Sequence, residues 1–310
     1  MNWKLKSLIQ NLISVLPNKI GDSLYFKIQK NFGGLKDKHI FNYAKFNATV
    51  ILWNQIQNTQ SNPKDKVFFE IGTGRIPEIP LYLWLFGAKK IITVDLNPIF
   101  DIELSHKFID LLIKNKKEIL SISKGLININ RLHLLENFSK ELKTFSSFKK
   151  KLNIDYISPF DAGQETIADK YIDYFFSYTV LEHIPEHSIK KIFTAIKPKM
   201  HEESLMIHFI DYSDHFSHSD PSISNINFLK YGNFYWNLIA GNKYMYMNRL
   251  RHDDFLKIFA NLKLKLISID PIFSKESFDL IKENKINIHN IFNSKSNQVK
   301  ATIGSWFILK

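Results

Sequence analysis

The chain has 310 residues, 45% of them apolar and 14% aromatic, ample for a large α/β domain with additions and too apolar for wholesale disorder. It has no cysteine, which excludes disulfides, thiolate metal sites and a cysteine nucleophile, and it fits a reducing, cytoplasmic setting. The net charge of +12 rests on 38 lysines and only four arginines; with no nucleic-acid-binding motif beside them, the lysines read as a solvated basic surface and imply no specific nucleic-acid partner.

In chain order, residues 3 to 16 place Trp3, Leu5, Leu8, Ile9, Leu12, Ile13 and Leu16 at helical spacing. Such a helix packs on its own domain or lies on a membrane surface, and membrane association is peripheral at most, through residues 3–16. No uninterrupted apolar run reaches the ~18 residues of a membrane span. Broken by Gln10, Asn11 and Ser14 and lacking a small-residue cleavage site, the N-terminus does not read as a signal peptide. Helices are expected over 22–31, ended by Gly33-Gly34, and over 43–57. The polar loop 58–66 then divides an N-terminal helical cap, residues 1–60, from the main domain, residues 61–310.

The main domain opens on Val67-Phe68-Phe69, a buried-strand signal, followed by Glu70, Gly72 and Gly74. A helix over Ile79–Phe86 and a second strand, Ile91–Val94, lead to Asp95. Strand, glycine turn, helix, strand and acid form the nucleotide-binding half of a doubly wound sheet. A dinucleotide fingerprint wants a third glycine three residues after the second; that position is Pro77, which counts against NAD. A helix over 99–120 and an insertion at about 121–150 follow. Strands are expected at 155–158, 171–178, 204–210, 262–269 and 301–309, the last antiparallel. Helices are expected at 186–196 and 253–260, and further insertions at about 211–250 and 271–296. The fold class is α/β: a Rossmann-like, doubly wound, mostly parallel seven-stranded sheet with an antiparallel last strand.

The pattern Glu70-x-Gly72-x-Gly74 resembles motif I of class I methyltransferases that use S-adenosylmethionine, although their usual third glycine is Ile76 here. Asp161-Ala162 is similar to the acid-small pair after their third strand. The segment 171–185, YIDYFFSYTVLEHIP, resembles their fourth strand and its turn. Within it, Val180-Leu181-Glu182-His183 is similar to the tetrad of ubiquinone-type O-methyltransferases in the methyltransferase-11-like group. The resemblance covers about residues 65 to 270. It implies S-adenosylmethionine as cofactor, held by Glu70, Gly72, Thr73, Gly74, Asp95, Leu96, Asp161, Ala162 and Tyr178. Asp95 would accept both ribose hydroxyls and Asp161 the adenine amine; Asp161 reads nearly as well as a helix N-cap.

His183, at the methyl end of that motif, is the candidate general base, with the structural alternative that Glu182-His183 anchors the turn. Ubiquinone-type enzymes can add a further Glu to this pair and hold a divalent metal; Thr179 stands there in this chain, and no metal site is assigned. Asp211 and His215, in the segment HFIDYSDHFSHSD, are secondary proton acceptors, and Asp214, Tyr235, Trp236, Arg249 and Arg251 are candidates for substrate binding. The expected reaction is O-methylation of a small molecule or glycan hydroxyl. The rivals are an NAD-dependent oxidoreductase and a non-catalytic protein of the same fold. No oligomeric state is read from the sequence.

Overall fold

The structure, a computed structural model, describes residues 1–33, 35, 41, 43–164 and 167–310. Gly34, expected to help end the second helix, lies outside the described residues. Three helices open the chain: α1 (Trp3–Ser14), α2 (Asn18–Phe32) and α3 (Tyr43–Asn58). Then β1 (Val67–Ile71), α4 (Glu78–Phe86) and β2 (Lys90–Val94) form the expected unit. Four helices follow, α5 (Ile102–Lys114), α6 (Lys116–Ile122), α7 (Ile129–Phe138) and α8 (Phe145–Leu152), before β3 (Ile154–Ile157) and β4 (Ile172–Tyr178). The remainder runs through α9 (Glu186–Ile196), β5 (Met200–Asp211), α10 (Asn233–Ala240), α11 (His252–Asn261), β6 (Leu266–Phe273), α12 (Lys275–Lys282), α13 (Asn297–Ala301) and β7 (Thr302–Leu309).

The strands form one mixed seven-stranded sheet in the order β3-β2-β1-β4-β5-β7-β6, with antiparallel pairing confined to the last strands. β1 pairs in parallel with β2 on one side (Phe69 opposite Ile92) and with β4 on the other (Phe69 opposite Phe175). The chain therefore winds outward from β1 in one direction and then returns to wind in the other. In open α/β sheets that reversal leaves a crevice beyond the carboxyl ends of the two central strands, where ligands bind. The expected Rossmann-like class is the observed one.

The long helix expected over 99–120 is two helices. Asn115 leaves the helical region (φ −97°, ψ 16°) and turns its side-chain amide back to the Leu111 carbonyl at 2.7 Å, which ends α5. The sixth strand begins four residues later than expected. Leu262 and Leu264, read as strand, close α11 through backbone bonds to Ile258 and Phe259, with Lys263 at φ +54°.

The chain divides into two compact units. One comprises Gly34–Tyr178, Lys190–His208 and Ile308–Lys310 and is here the nucleotide-fold unit. Its packing is aromatic: Trp53 of α3 stacks on Phe68 of β1 at 6.1 Å and meets Phe86 edge-on, and every residue of α4 is buried. The other unit comprises Met1–Gly33, Thr179–Ile189 and Phe209–Phe307. It has its own core, in which Trp3, Phe216, Phe228, Trp236, Met245 and Phe292 are buried together.

Candidate functional site

In the nucleotide-fold unit the turn after β1 is built by two glycines in the left-handed region, Gly72 at φ +84° and Gly74 at φ +72°. The Gly72 amide donates to the Val94 carbonyl at 2.8 Å, extending the β1–β2 ladder. The Gly74 amide donates to the Asp95 carboxylate at 3.2 and 3.4 Å. A Cβ placed on Gly74 would meet no protein atom within 4 Å, so the turn faces open space. Thr73 and Thr93 share a hydroxyl hydrogen bond, and Thr93 donates to Glu70.

Glu70 and Asp95 are both buried. Burial pushes the Glu70 carboxyl up to about 8, with Asp95 adding to the rise and the Thr93 bond and Lys45 opposing it. Burial also raises Asp95, to about 7, against the pull of the Gly74 amide. Leu96 is exposed and Ala162 is buried. Asp161 accepts from the Gly163 amide at 2.9 Å and from the Gln164 side chain, so its carboxylate holds its own turn. Tyr178 closes β4, half-buried.

In the other unit, Thr179 adopts φ +54°, a conformation that costs a β-branched residue about 1–2 kcal/mol and is commonest at functional sites. A 3₁₀ turn, Leu181–His183, follows. Asn248, not singled out from the sequence, clamps it: its side-chain amide donates to the Leu181 and Ile184 carbonyls, both at 2.8 Å, and its backbone amide to the Glu182 carbonyl at 2.8 Å. The only sequence signal for this role is an asparagine beside arginine in a segment without helix or strand periodicity.

His183 Nδ1 lies 2.8 Å from the Tyr246 carbonyl. A carbonyl only accepts, so Nδ1 carries the proton and Nε2 keeps its lone pair. Burial of part of the ring and the His215 ring, 4.8 Å away, push His183 down to about 4. The ring stays exposed on its other side, so water offsets part of that fall. Glu182 is 2% exposed, and among the described residues no side chain hydrogen-bonds its carboxylate; only the backbone amides of Glu182 and Asp211 approach it. Burial, and then the charge of Asp211, raise its carboxyl well above the ordinary range. Asp211 stays low: burial pushes it up, but His215 and Ser213 outweigh that. His215 and His218 approach its Oδ2 at 3.5 and 3.7 Å.

Ligand atoms of Glu182, His183 and His215 lie within 4.8 Å of one another. Two imidazole nitrogens and a carboxylate make a donor set that suits a divalent transition metal or Mn²⁺. A buried carboxylate that no side chain bonds is what a cation would satisfy, so the residues fit such an ion although their spacing in sequence did not assign one.

Four candidates for substrate binding are engaged elsewhere. Arg251 is fully buried, and its guanidinium donates to the carbonyls of Tyr212 (2.6 Å), Lys300 (2.9 Å) and Thr302. Arg249 donates to the Tyr231 carbonyl at 2.6 Å and to Asn233, over the rings of Trp236 and Phe292. Burial lowers both arginines to about 10, and both stay charged at neutral pH. Asp214 is buried, accepting from the Phe216 amide at 2.9 Å and from Asn227 at 3.2 Å, and Trp236 is core. These contacts engage Asp214, Trp236, Arg249 and Arg251 inside the protein. Tyr235 alone stands exposed, on α10.

No protein-family model matches the chain, and no curated protein matches it. Solved structures do. The chain is similar to a magnesium protoporphyrin IX methyltransferase of Synechocystis with bound S-adenosylhomocysteine (9% identity, 98% of each chain covered, TM-score 0.45). It is also similar to a sarcosine dimethylglycine methyltransferase, so described without experimental proof, from Galdieria sulphuraria (11%, 85% of each chain, TM-score 0.43). A third is an S-adenosylmethionine-dependent methyltransferase of Methanosarcina mazei (12%, 82% of this chain and 95% of that one, TM-score 0.45). At these identities the likeness is one of fold.

Two outcomes follow from this geometry. Native Glu70 holds a proton up to about pH 8, whereas an unfolded glutamate releases it near 4.5. The stability it contributes is therefore complete below the unfolded value and is lost as pH rises through the native one. Glu70→Gln should flatten the fall of Tm between about pH 5 and about pH 9 relative to wild type; equal slopes would show that Glu70 is not held protonated. Arg251→Met should lower stability by at least ~3 kcal/mol in urea unfolding, because it orphans several buried carbonyls. An unchanged urea midpoint would return Arg251 to the substrate-binding set.

Proposed function

We propose that the protein is an S-adenosylmethionine-dependent methyltransferase that methylates a hydroxyl of a small molecule or glycan. The observation that carries this reading is the pair of buried carboxyls, Glu70 and Asp95, at the ends of adjacent parallel strands, around a glycine turn that faces open space. Both are pushed up because nothing fully compensates their charge. S-adenosylmethionine brings a sulfonium cation and two ribose hydroxyl donors, which stabilise the ionised carboxylates. A dinucleotide brings a pyrophosphate, which wants a third glycine three residues after Gly74, where Pro77 stands.

In this reading the nucleotide-fold unit binds the cofactor, with Asp95 on the ribose and the Gly72–Gly74 turn passing beneath the methionine portion. Bound cofactor supplies the electrophilic methyl. The acceptor side is assigned to the His183 cluster. His183 Nε2, its lone pair fixed by the Nδ1 bond to Tyr246, takes the hydroxyl proton as attack proceeds, a contribution of typically ~100–10,000-fold. Acceptor choice is assigned to the N-terminal helices and the 211–250 segment, with Tyr235 the one substrate-binding candidate retained.

A second reading of the acceptor side is favoured by the buried carboxylate of Glu182, which no side chain among the described residues bonds, beside two imidazoles. Glu182, His183 and His215 would hold a divalent cation there. A bound ion would lower the pKa of an acceptor hydroxyl, and His183 would then act as a ligand.

Asp95→Ala should weaken S-adenosylhomocysteine binding by roughly 10- to 100-fold in calorimetry, the loss of a buried charged hydrogen bond worth ~1.5–3 kcal/mol. Gly74→Ala should weaken binding at a stability cost of about 1–2 kcal/mol from its left-handed backbone, since the added Cβ meets nothing within 4 Å among the described residues beyond its chain neighbours. Unaltered affinity in either folded variant would place the cofactor elsewhere. With an acceptor in hand, log rate should rise with pH through a limb between about 4, where the structure holds His183, and its ordinary 6.5. His183→Ala should remove that limb and lower the rate by roughly two to four powers of ten. A rate restored by added Mn²⁺ after chelation, together with a metal-dependent rise in Tm that Glu182→Gln eliminates, would select the cation reading over the free base.

A further inference from the structure

Helix α1 is folded with its polarity reversed. Its buried face carries Trp3, Ser7, Gln10 and Ile13. Three of its polar side chains are bonded within the same unit: the Ser7 hydroxyl to the Ile239 carbonyl (2.6 Å), the Gln10 amide to the Tyr25 hydroxyl (3.0 Å) and the Asn11 amide to the Leu238 carbonyl (2.8 Å). Leu5, Leu8, Leu12 and, just past the helix, Val15 point to solvent, 52%, 55%, 61% and 80% exposed. Their spacing of three, four and three residues puts them on one stripe. The bonds to Leu238 and Ile239 seat α10 beside α1. α10 adds Phe234, Tyr235 and Leu238, exposed at 72%, 65% and 60%. Single exposed apolar residues need no explanation, but an apolar stripe continued on a neighbouring helix marks an interaction surface.

The charge around this stripe is one-sided. Residues 1–33 contain five lysines and one acid, Asp22. That acid is paired with Lys243 at 2.7 Å. Residues 226–247 add Lys230 and Lys243 and no acid at all. Lys4, Lys19 and Lys27 are exposed. A second copy of the chain docked here would set these lysines against their own equivalents. A surface of negative charge over an apolar layer satisfies both halves of the face at once, with leucines at the acyl boundary and lysines among the headgroups. No helix among the described residues is long and apolar enough to cross a membrane.

We propose that the α1–α10 face docks on an anionic lipid bilayer. The inference does not use the cofactor turn or the His183 cluster, and it places Tyr235 at the bilayer surface.

The test is flotation of the full-length protein with vesicles of phosphatidylcholine, with and without phosphatidylglycerol. The protein should float with the anionic vesicles, lose that association as salt is raised, and stay behind with phosphatidylcholine alone. Leu8→Glu/Leu12→Glu should reduce partitioning at least about tenfold. Each of Lys4→Gln, Lys19→Gln and Lys27→Gln should reduce it by about fivefold. Phe234→Glu on α10 is an independent probe of the same face, and the Tm of each variant reports its fold. Failure of the wild type to float with anionic vesicles overturns the proposal, as does equal flotation of folded Leu8→Glu/Leu12→Glu or Phe234→Glu. A wild-type dimer in sedimentation that Leu8→Glu/Leu12→Glu turns into monomers also overturns it, in favour of a self-interface.

Discussion

Two carboxyls buried at the carboxyl ends of β1 and β2 constrain everything around the glycine turn. Glu70 sits on a fully buried strand and Asp95 directly follows the next one. Neither is neutralised by an ion pair among the described contacts. Thr93, Thr73 and the Gly74 amide share the task of satisfying them. Burying acids this way is unfavourable unless a ligand completes the arrangement. The sheet order makes the position available: β1 is flanked by β2 and β4, so the winding reverses beside this turn.

The His183 turn solves a different problem, the fixing of one imidazole tautomer on an exposed loop. The Tyr246 carbonyl accepts a hydrogen bond from Nδ1–H while Asn248 pins the backbone on either side. Glu182, on the same turn, is buried without a side-chain partner among the described residues, raised by burial and by Asp211. Asp211 remains low beside His215, so proton-accepting groups with different affinities stand in one small cluster. Such separation of pKa values between neighbouring titratable groups is a mark of chemistry. The strained Thr179 at the start of this segment belongs to the same pattern.

Sequence periodicity located the strands of the sheet and the helices between them, because buried strands open on apolar runs such as 67–69 and α9 has one strongly apolar face, while α10 and α12 fell in stretches read only as insertions. Where it failed, the cause was local. Asn115 ended a helix through its own side chain, a choice that apolar spacing does not record. β6 is exposed along most of its length, so no burial pattern marked where it starts. On α1 the spacing of leucines revealed an amphipathic helix but could not say which face turns inward. Polar bonds from Ser7, Gln10 and Asn11 decided that, and their carbonyl and hydroxyl partners are invisible in a sequence. The arginines failed likewise: Arg249 and Arg251 have the chemistry of anion binding, but backbone carbonyls from distant segments occupy their donors. The glycine turn and the acid after β2 were legible because their geometry leaves few alternatives, left-handed φ at two positions and a strand end at the third.

The central claim is that the turn between β1 and α4 is built for a sulfonium nucleoside and against a dinucleotide. Isothermal titration of the wild-type protein with S-adenosylhomocysteine and, separately, with NAD tests it most directly. The account predicts saturable binding of S-adenosylhomocysteine and none of NAD; binding of NAD, or of neither ligand by the folded protein, would contradict it.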